Sequence, residues 1–177
     1  MNTITPSPSM KKDNPENKNK NIILATVRRD DQAKVMGEID QAGHCPFCQE
    51  NLLKYHKRPI IQKGKFWTLT ENQWPYEKVK HQLLAVYNTH IEHIKDTDPE
   101  AGRELFEMFA SEAKKRNMRG GGIAIRFGSN PGHGNYGNSV LHLHAHLIEP
   151  DLDALGETEA WRFKFGQPEN YKKSPKS

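Results

Sequence analysis

Three histidines alternate with apolar residues in the segment Ser-Val-Leu-His-Leu-His-Ala-His-Leu-Ile, residues 139–148. Because a β-strand points every second side chain to the same face, the alternation predicts a strand with His142, His144 and His146 on one side. The three imidazoles should lie about 6.6 Å apart along this row. Folding alone does not require histidine here, because valine has a higher propensity for β-strands. The row is therefore a candidate functional site. The alternative is a solvent-facing strand whose polar face is histidine.

The middle histidine of the row is the candidate nucleophile. A neutral imidazole can attack phosphorus and leave again, which divides one displacement into two steps. His144 has a histidine on each side, and His146, with an ordinary pKa near 6.5, can donate a proton to the leaving group. Ser139 and the N–H groups of the glycine-rich segment 128–138 can hold anionic oxygens. We therefore expect an anion-binding loop there, rather than a long hairpin without function.

The rest of the pattern predicts an α+β fold with an antiparallel sheet and one long helix. The helix begins near Thr97–Glu100, with a Thr or Asp cap and a proline in its first turn, and ends at the glycines 120–122. Alternation over 161–165 predicts one further strand. The other predicted strands span 58–62, 65–70, 81–87 and 123–127.

The 177 residues, 34% of them hydrophobic, are enough for one domain with polar ends. Residues 1–21 bury too little apolar surface to fold and are predicted to be a disordered tail. Residues 22–42 form an extension with a short helix over 30–41, which would lie against the domain or a partner subunit. The domain is placed at 43–166, and a polar tail at 167–177.

Charge and hydropathy restrict the partners. The net charge of +4 is dispersed, which suits a small anionic ligand about as well as a nucleic acid. A nucleic-acid binder with a zinc knuckle is therefore a weak alternative. No apolar run approaches the ~20 residues of a membrane span. The first 21 residues lack the apolar core of a signal peptide, so we expect a cytoplasmic protein.

Two cysteines, Cys45 and Cys48, are separated by two residues. They are too few for a disulfide framework, which leaves a redox pair or half of a metal site. The surrounding pattern lacks the βαβ unit expected of a thioredoxin-like redox motif.

Segment 139–148 resembles the signature of the histidine triad (HIT) family, in which a Ser-Val precedes three alternating histidines. That family consists of nucleotide-binding hydrolases and transferases. The resemblance covers about residues 43–150 and implies a HIT-like fold. The Asn-x-x-Pro-Tyr sequence at 72–76 is also similar to the dinucleoside polyphosphate hydrolase and phosphorylase branch. His146 argues against the sugar-nucleotide transferases, which carry glutamine at that position.

The resemblance implies roles for individual residues. His144 would be the covalent nucleophile, His146 would contact phosphates and assist the leaving group, and Ser139 would bind a phosphate oxygen. Asn138 stands where the family usually has glutamine. Phe66, Trp67 and Leu69 would wall the base, or are simply core residues. The implied nucleotide-binding residues are Asn72, Phe66, Trp67, Leu69, Asn130, Gly137, Asn138, Ser139, His144 and His146.

The resemblance also implies a structural zinc knuckle, with no organic cofactor. Its ligands would be Cys45, Cys48, His90 and His142. His44 and His93 are rival ligands.

These features together predict nucleotidyl transfer to water or phosphate, through a nucleotidyl-histidine intermediate. The substrate would bear a nucleoside monophosphate, as dinucleoside polyphosphates, nucleoside phosphoramidates and adenylylated adducts do. A homodimer is implied by resemblance alone. The alternative is a nucleotide-binding sensor or adaptor with little turnover.

Overall fold

The computed structural model describes residues 21–129 and 133–168 and has the predicted α+β architecture. The strands are β1 (Ile60–Lys63), β2 (Trp67–Glu71), β3 (Val79–Tyr87), β4 (Gly122–Arg126), β5 (Gly134–Asn135), β6 (His144–Pro150) and β7 (Gln167–Pro168). The helices are α1 (Asp30–Ala42), α2 (Gln49–Tyr55) and α3 (Pro99–Lys115). Five strands form an antiparallel sheet in the order β1-β2-β3-β6-β4, and β5 pairs with β7.

Alternation along the strands gives the large sheet two different faces. On one face, Ala145 and Leu147 of β6 join the main core with apolar side chains of β2, β3 and α3. On the opposite face lies His144, which is paired in register with Val86 of β3 and Arg126 of β4. The sheet therefore separates the core beneath α3 from the face that carries His144.

Helix α3 covers the core face of the sheet. It begins with Pro99, and the carboxylate of Asp98 accepts a hydrogen bond from the backbone N–H of Glu100 at 2.9 Å. This is the start that the sequence predicts, since the aspartate cap satisfies an N–H that has no partner within the helix. The buried apolar side chains of α3 are Ala101, Leu105, Met108 and Phe109.

Glu104 of α3 holds the turn between β1 and β2. Its Oε1 accepts hydrogen bonds from the backbone N–H groups of Phe66 and Trp67, both at 2.9 Å, and its Oε2 accepts one from Lys65 at 3.0 Å. We expect Glu104→Ala to lower the free energy of unfolding by about 2 kcal/mol in urea titrations, because three donors lose a charged acceptor. Glu107→Ala is the matched control, and an equal effect of both changes would contradict this role.

The extension at 22–42 packs against the face of the sheet that carries His144. Ile22 forms an isolated bridge with Val140, and α1 buries Met36 and Ile39 in a cluster that includes Cys45. The short helix expected in this region is thus present as α1, and it lies against its own chain.

The predicted strand over 139–148 begins later than expected. β6 starts at His144, because the backbone before it is paired elsewhere. The N–H of Leu141 donates to the carbonyl of Asn21 at 2.7 Å, and the N–H of Leu143 donates to that of Ile91 at 2.6 Å. Competing partners therefore end the strand at its amino-terminal side.

The strand predicted over 161–165 is not formed. Its three aromatic side chains instead pack in series, with ring centroids 6.3 Å apart for Trp161 and Phe163 and 5.1 Å apart for Phe163 and Phe165. Strand pairing occurs further along the chain, where β7 pairs with β5 in antiparallel orientation. The predicted tail over 1–21, except Asn21, and residues 169–177 lie outside the described residues.

No helix in the described part of the chain has both the length and the apolar character needed to cross a membrane.

Candidate active site and metal centre

Two thiols and two imidazoles meet in a compact cluster. Its members are Cys45, Cys48, His90 and His142, whose ligand atoms all lie within 4.8 Å of one another. The Nδ1 of His142 is 3.4 Å from Cys45 Sγ and 4.0 Å from Cys48 Sγ, and the Nδ1 of His90 is 3.4 Å from Cys48 Sγ. Tetrahedral zinc with bonds of about 2.3 Å to sulfur and about 2.0 Å to nitrogen separates its ligand atoms by roughly 3.3–3.8 Å. Two of these three sulfur–nitrogen distances fall in that range, and the third is longer, at 4.0 Å.

Three separate parts of the chain supply these ligands. The cysteines lie in the turn before α2, His90 follows β3, and His142 precedes β6. The Nε2 of His142 lies 2.7 Å from the backbone oxygen of Tyr87. Because a carbonyl oxygen only accepts, this nitrogen carries the proton and Nδ1 keeps its lone pair for a metal.

The protonation chemistry of the thiols also fits a metal. Burial raises the pKa of the Cys45 thiol. Burial, together with the neighbouring Cys45, raises the pKa of Cys48 to about 12. Each thiol therefore needs a nearby cation to ionise, and Zn²⁺ would supply that charge while replacing the proton. Two sulfurs and two nitrogens form a set that structural zinc accepts.

The two rival histidines are occupied elsewhere. The Nε2 of His44 lies 2.8 Å from the hydroxyl of Tyr55. The Nδ1 of His93 accepts a hydrogen bond from the N–H of Lys95 at 3.1 Å, and its ring lies against Phe127. Neither belongs to the metal-binding cluster found among the described residues.

Two of the three alternating histidines line the cavity that the structure describes, and His142, which precedes β6, belongs to the metal cluster. His144 and His146 do lie on one face of β6, with ring centroids 5.3 Å apart and nearly perpendicular planes. The backbone carbonyl of His142 accepts a hydrogen bond from the His144 ring.

A backbone hydrogen bond fixes the tautomer of His144. Its Nδ1 lies 2.7 Å from the carbonyl oxygen of His142. That oxygen can only accept, so Nδ1 carries the proton and Nε2 holds the free lone pair. The ring is 6% exposed and is reached through a cavity that it helps to line. This arrangement gives a neutral imidazole with a nucleophilic nitrogen.

Burial keeps both strand histidines neutral. It lowers the pKa of His144 to about 4, opposed by the hydrogen bond to His142 and aided by the charge of Arg126. Burial, then His144 and Arg126, lowers the pKa of His146 well below its ordinary value. The expectation of a pKa near 6.5 for His146 is therefore wrong for the free protein. A bound phosphate anion would raise this pKa toward the range in which His146 can donate a proton.

The strand histidines line a cavity of about 710 Å³. This volume lies within the usual range for small-molecule sites. One region of its wall is apolar, formed by Val27, Met36, Ile39, Pro46, Phe47, Leu84 and Val140. Its cationic side chains are Arg28, Arg126, Arg162 and Lys164. No aspartate or glutamate occurs in the lining that the structure describes.

Several predicted site residues reach this cavity. Asn72, Gly137 and Ser139 line it together with the strand histidines. The Oγ of Ser139 accepts a hydrogen bond from the Thr26 hydroxyl at 2.8 Å. Gly137 has a φ of 87°, and a Cβ there would lie 3.0 Å from Nε of Arg126, so the site favours glycine.

Other predicted nucleotide contacts lie elsewhere. Asn138 is buried behind the lining, where its amide donates to the Gly128 carbonyl at 3.2 Å. Phe66, Trp67 and Leu69 belong to the core beneath α3 or pack against it, on the opposite face from His144. They cannot wall a base in the cavity, so the core interpretation of these three residues is correct. Asn130 lies outside the described residues.

The apolar wall is built by residues that the sequence did not single out. Phe47, between the two cysteines, packs edge-on against His144 with centroids 5.3 Å apart. Met36 and Ile39 come from α1, whose apolar side faces the cavity. The amphipathic pattern of α1 predicts a buried face, but only the tertiary structure shows what that face covers.

No family model and no curated protein matches this chain. Solved structures that are similar to this chain include histidine triad proteins. A zinc-bound member from Mycobacterium smegmatis is 22% identical over 64% of this chain and 80% of that one, with a TM-score of 0.47. A histidine triad protein from Clostridium difficile is 17% identical over 75% of this chain and 100% of that one, with a TM-score of 0.48. The diadenosine triphosphate hydrolase of Plasmodium falciparum is 22% identical over 55% of this chain and 64% of that one, with a TM-score of 0.44.

The family of these neighbours is the one that the alternating histidines of residues 139–148 resemble. In this chain, one histidine of that segment belongs to a zinc-type cluster and two line the adjoining cavity. The protein is thus similar to histidine triad proteins in its fold.

Proposed function

We propose that this protein is a nucleotide hydrolase or nucleotidyltransferase of the histidine triad type, acting on the α-phosphate of a substrate that bears a nucleoside monophosphate. One observation carries the proposal: the Nδ1 of His144 lies 2.7 Å from the carbonyl oxygen of His142. This bond leaves Nε2 of a neutral, cavity-lining imidazole free for attack on phosphorus. A histidine needed only for packing would not require a cavity of nucleotide size beside it.

The two regions of the cavity suit the two parts of a nucleotide. The apolar wall from α1 and Phe47 can accept a base. Asn72 can contact ribose hydroxyls, and the hydroxyl of Ser139 can donate to a phosphate oxygen. The cationic side chains attract the anion as a whole. The nucleotide would thus place its α-phosphate near His144.

The chemistry then proceeds in two balanced displacements. Nε2 of His144 forms a bond to the α-phosphorus as the bond to the leaving group breaks, and the leaving group takes the electron pair. Bound phosphate raises the pKa of His146, which can then give the leaving group a proton. Water, which gives a proton back to His146, or phosphate next attacks phosphorus. The bond between phosphorus and Nε2 breaks, its electron pair returns to the nitrogen, and the nucleotide is released.

Zinc would have a structural role in this account. Cys45, Cys48, His90 and His142 would hold it, joining the turn before α2 to the segment before β6. Because the carbonyl of His142 fixes the tautomer of His144, the centre supports the nucleophile through the protein's own backbone.

Turnover of a defined panel tests the proposal. We expect AMP release from adenosine 5′-phosphoramidate, a diadenosine polyphosphate or an adenylylated lysine. Added phosphate will yield ADP if phosphate is the acceptor. Nucleotide binding without turnover of any substrate would contradict the enzyme and favour the sensor or adaptor role.

The homodimer and the cytoplasmic location remain predictions from the sequence. Light scattering on the zinc-loaded protein tests the dimer, for which a mass of twice 20.3 kDa is expected. A mass of 20.3 kDa at micromolar concentration would contradict it.

A further inference from the structure

Arg126 is a buried cation beside the nucleophile. It ends β4, is paired in register with His144 and is only 9% exposed. Its Nε and Nη2 donate to the carbonyl of Lys164 at 3.1 and 2.6 Å, and its Nη1 donates to the hydroxyl of Tyr76 at 2.8 Å. A guanidinium has five N–H donors, so these three bonds leave two for another acceptor.

A second arginine faces the same tyrosine. The guanidinium carbon of Arg28 lies 3.9 Å from the centroid of the Tyr76 ring, and its Nη2 donates to the carbonyl of Trp74 at 3.2 Å. Tyr76 therefore contacts Arg28 through its ring and Arg126 through its hydroxyl. The Tyr76 ring also lies edge-on to His146, at 6.3 Å between centroids. The two cations thus lie next to the pair of strand histidines.

Neither cation forms an ion pair in the described structure. The partners of Arg28 and Arg126 are carbonyl oxygens, a hydroxyl and aromatic rings, and no carboxylate lines the cavity. Arg126 is a buried charge without a counter-ion, which is costly, and this cost falls when an anion binds. Arginine is also well suited to phosphate, because two parallel N–H bonds match its oxygens.

We infer that Arg28 and Arg126 form a second anion subsite next to the histidine pair, which binds the phosphates beyond the α-phosphate. This inference rests on the proposed function and narrows its substrate class. The preferred substrate would be a nucleoside polyphosphate whose leaving group is itself a phosphate anion. When the bond between the α-phosphorus and the bridging oxygen breaks, the electron pair goes to that oxygen, and the guanidinium groups stabilise its charge. A phosphoramidate with an uncharged or cationic leaving group would gain nothing from them.

Comparison of two non-reacting ligands tests the subsite. α,β-methylene-ADP carries a second phosphonate group, joined through a methylene bridge, that AMP lacks. The affinities of both for zinc-loaded protein can be measured calorimetrically in magnesium-free buffer. We expect α,β-methylene-ADP to bind about tenfold more tightly than AMP. Arg28→Gln and Arg126→Gln should each weaken the binding of α,β-methylene-ADP more than the binding of AMP, which removes most of this ratio. The ratio should also fall as salt is added.

Arg29→Gln is the matched control, since Arg29 carries the same charge one residue away but pairs with Asp31. It should keep the tenfold ratio. If Arg126 only held the segment that contains Lys164, its removal would weaken both ligands equally, which would overturn the subsite. Persistence of the ratio in both variants would also overturn it.

Arg28→Gln keeps the test valid if the Arg126 variant fails to fold, because Arg28 is exposed. AMP binding without a gain for α,β-methylene-ADP would refute the subsite alone. Failure of both ligands to bind would refute the subsite and the proposed function together.

Discussion

Replacement of His144 by alanine is expected to lower turnover at least about a thousandfold, since covalent nucleophiles commonly contribute that much or more. The His144 ring supplies the Nε2 lone pair that attacks phosphorus. Among the groups that line the described cavity, it is the one whose tautomer is fixed by a hydrogen bond to the His142 carbonyl. AMP should still bind, because its base and phosphate contacts do not depend on this ring. Steady-state kinetics and calorimetry on the same preparation separate the two effects.

His81→Ala is the control for this experiment. It removes an imidazole from the neighbouring strand β3, outside the cavity lining, where its Nε2 lies 4.0 Å from a carboxylate oxygen of Glu149. Its turnover should stay within about threefold of the wild-type protein, as expected for a change that does not touch the reacting atoms. Equal activity of His144→Ala and wild-type protein would mean that another group performs the chemistry.

Loss of the zinc centre should have the second large effect, on both stability and turnover. Cys45→Ser removes one of four ligands, and we expect zinc content to fall well below one per chain. The midpoint of thermal unfolding should drop by roughly 10 °C, because metal binding contributes directly to folding. Turnover should fall as well, since His142 is both a ligand and the acceptor that orients His144. Elemental analysis and calorimetric scans measure the first two quantities.

His44→Gln and His93→Gln test the choice of ligands. Both histidines lie near the cysteines or His90 in the sequence, but they contact Tyr55 and Lys95 instead. Zinc content should therefore stay at its wild-type value in both variants. A loss of zinc on either change, with zinc retained in His90→Gln, would show that the ligand set is assigned incorrectly.

The two faces of the sheet could be predicted because they depend on a local pattern. The four residues of the metal cluster come from three separate parts of the chain, and they were predicted through the family resemblance. Alternation in β6 places Ala145 and Leu147 opposite His144, as expected for any strand. The start of β6 could not be predicted from alternation, because it depends on pairing with Asn21 and Ile91, far away in the chain. His142, which lies between these two paired residues, belongs to the metal cluster and is not part of the described cavity lining.

Helix α3 shows a similar limit. It ends at Lys115, before the glycines at 120–122, which were expected to stop it. Gly121 has a different role: a Cβ there would lie 2.0 Å from the carbonyl oxygen of Ile148, so glycine permits close approach of β6. A glycine run marks a place that needs small residues, but it does not say whether a helix end or a neighbouring strand is the reason.

The cavity wall was the least predictable part of the site. Aromatic residues at 66–69 and at Phe47 look equally suitable for a base, but strand register buries the first group beneath α3. Arg126 ends an ordinary alternating strand, and only its pairing with His144 reveals its place beside the nucleophile. Such roles follow from which elements become neighbours, which a single sequence shows poorly.

The intact mass of the protein, quenched in acid within milliseconds of mixing with substrate, tests the central claim most directly. The account predicts a transient species heavier by one nucleoside monophosphate, which maps to the peptide containing His144 and is absent from His144→Ala. Substrate turnover without any such species at any quench time, or with the added mass on another residue, would contradict it.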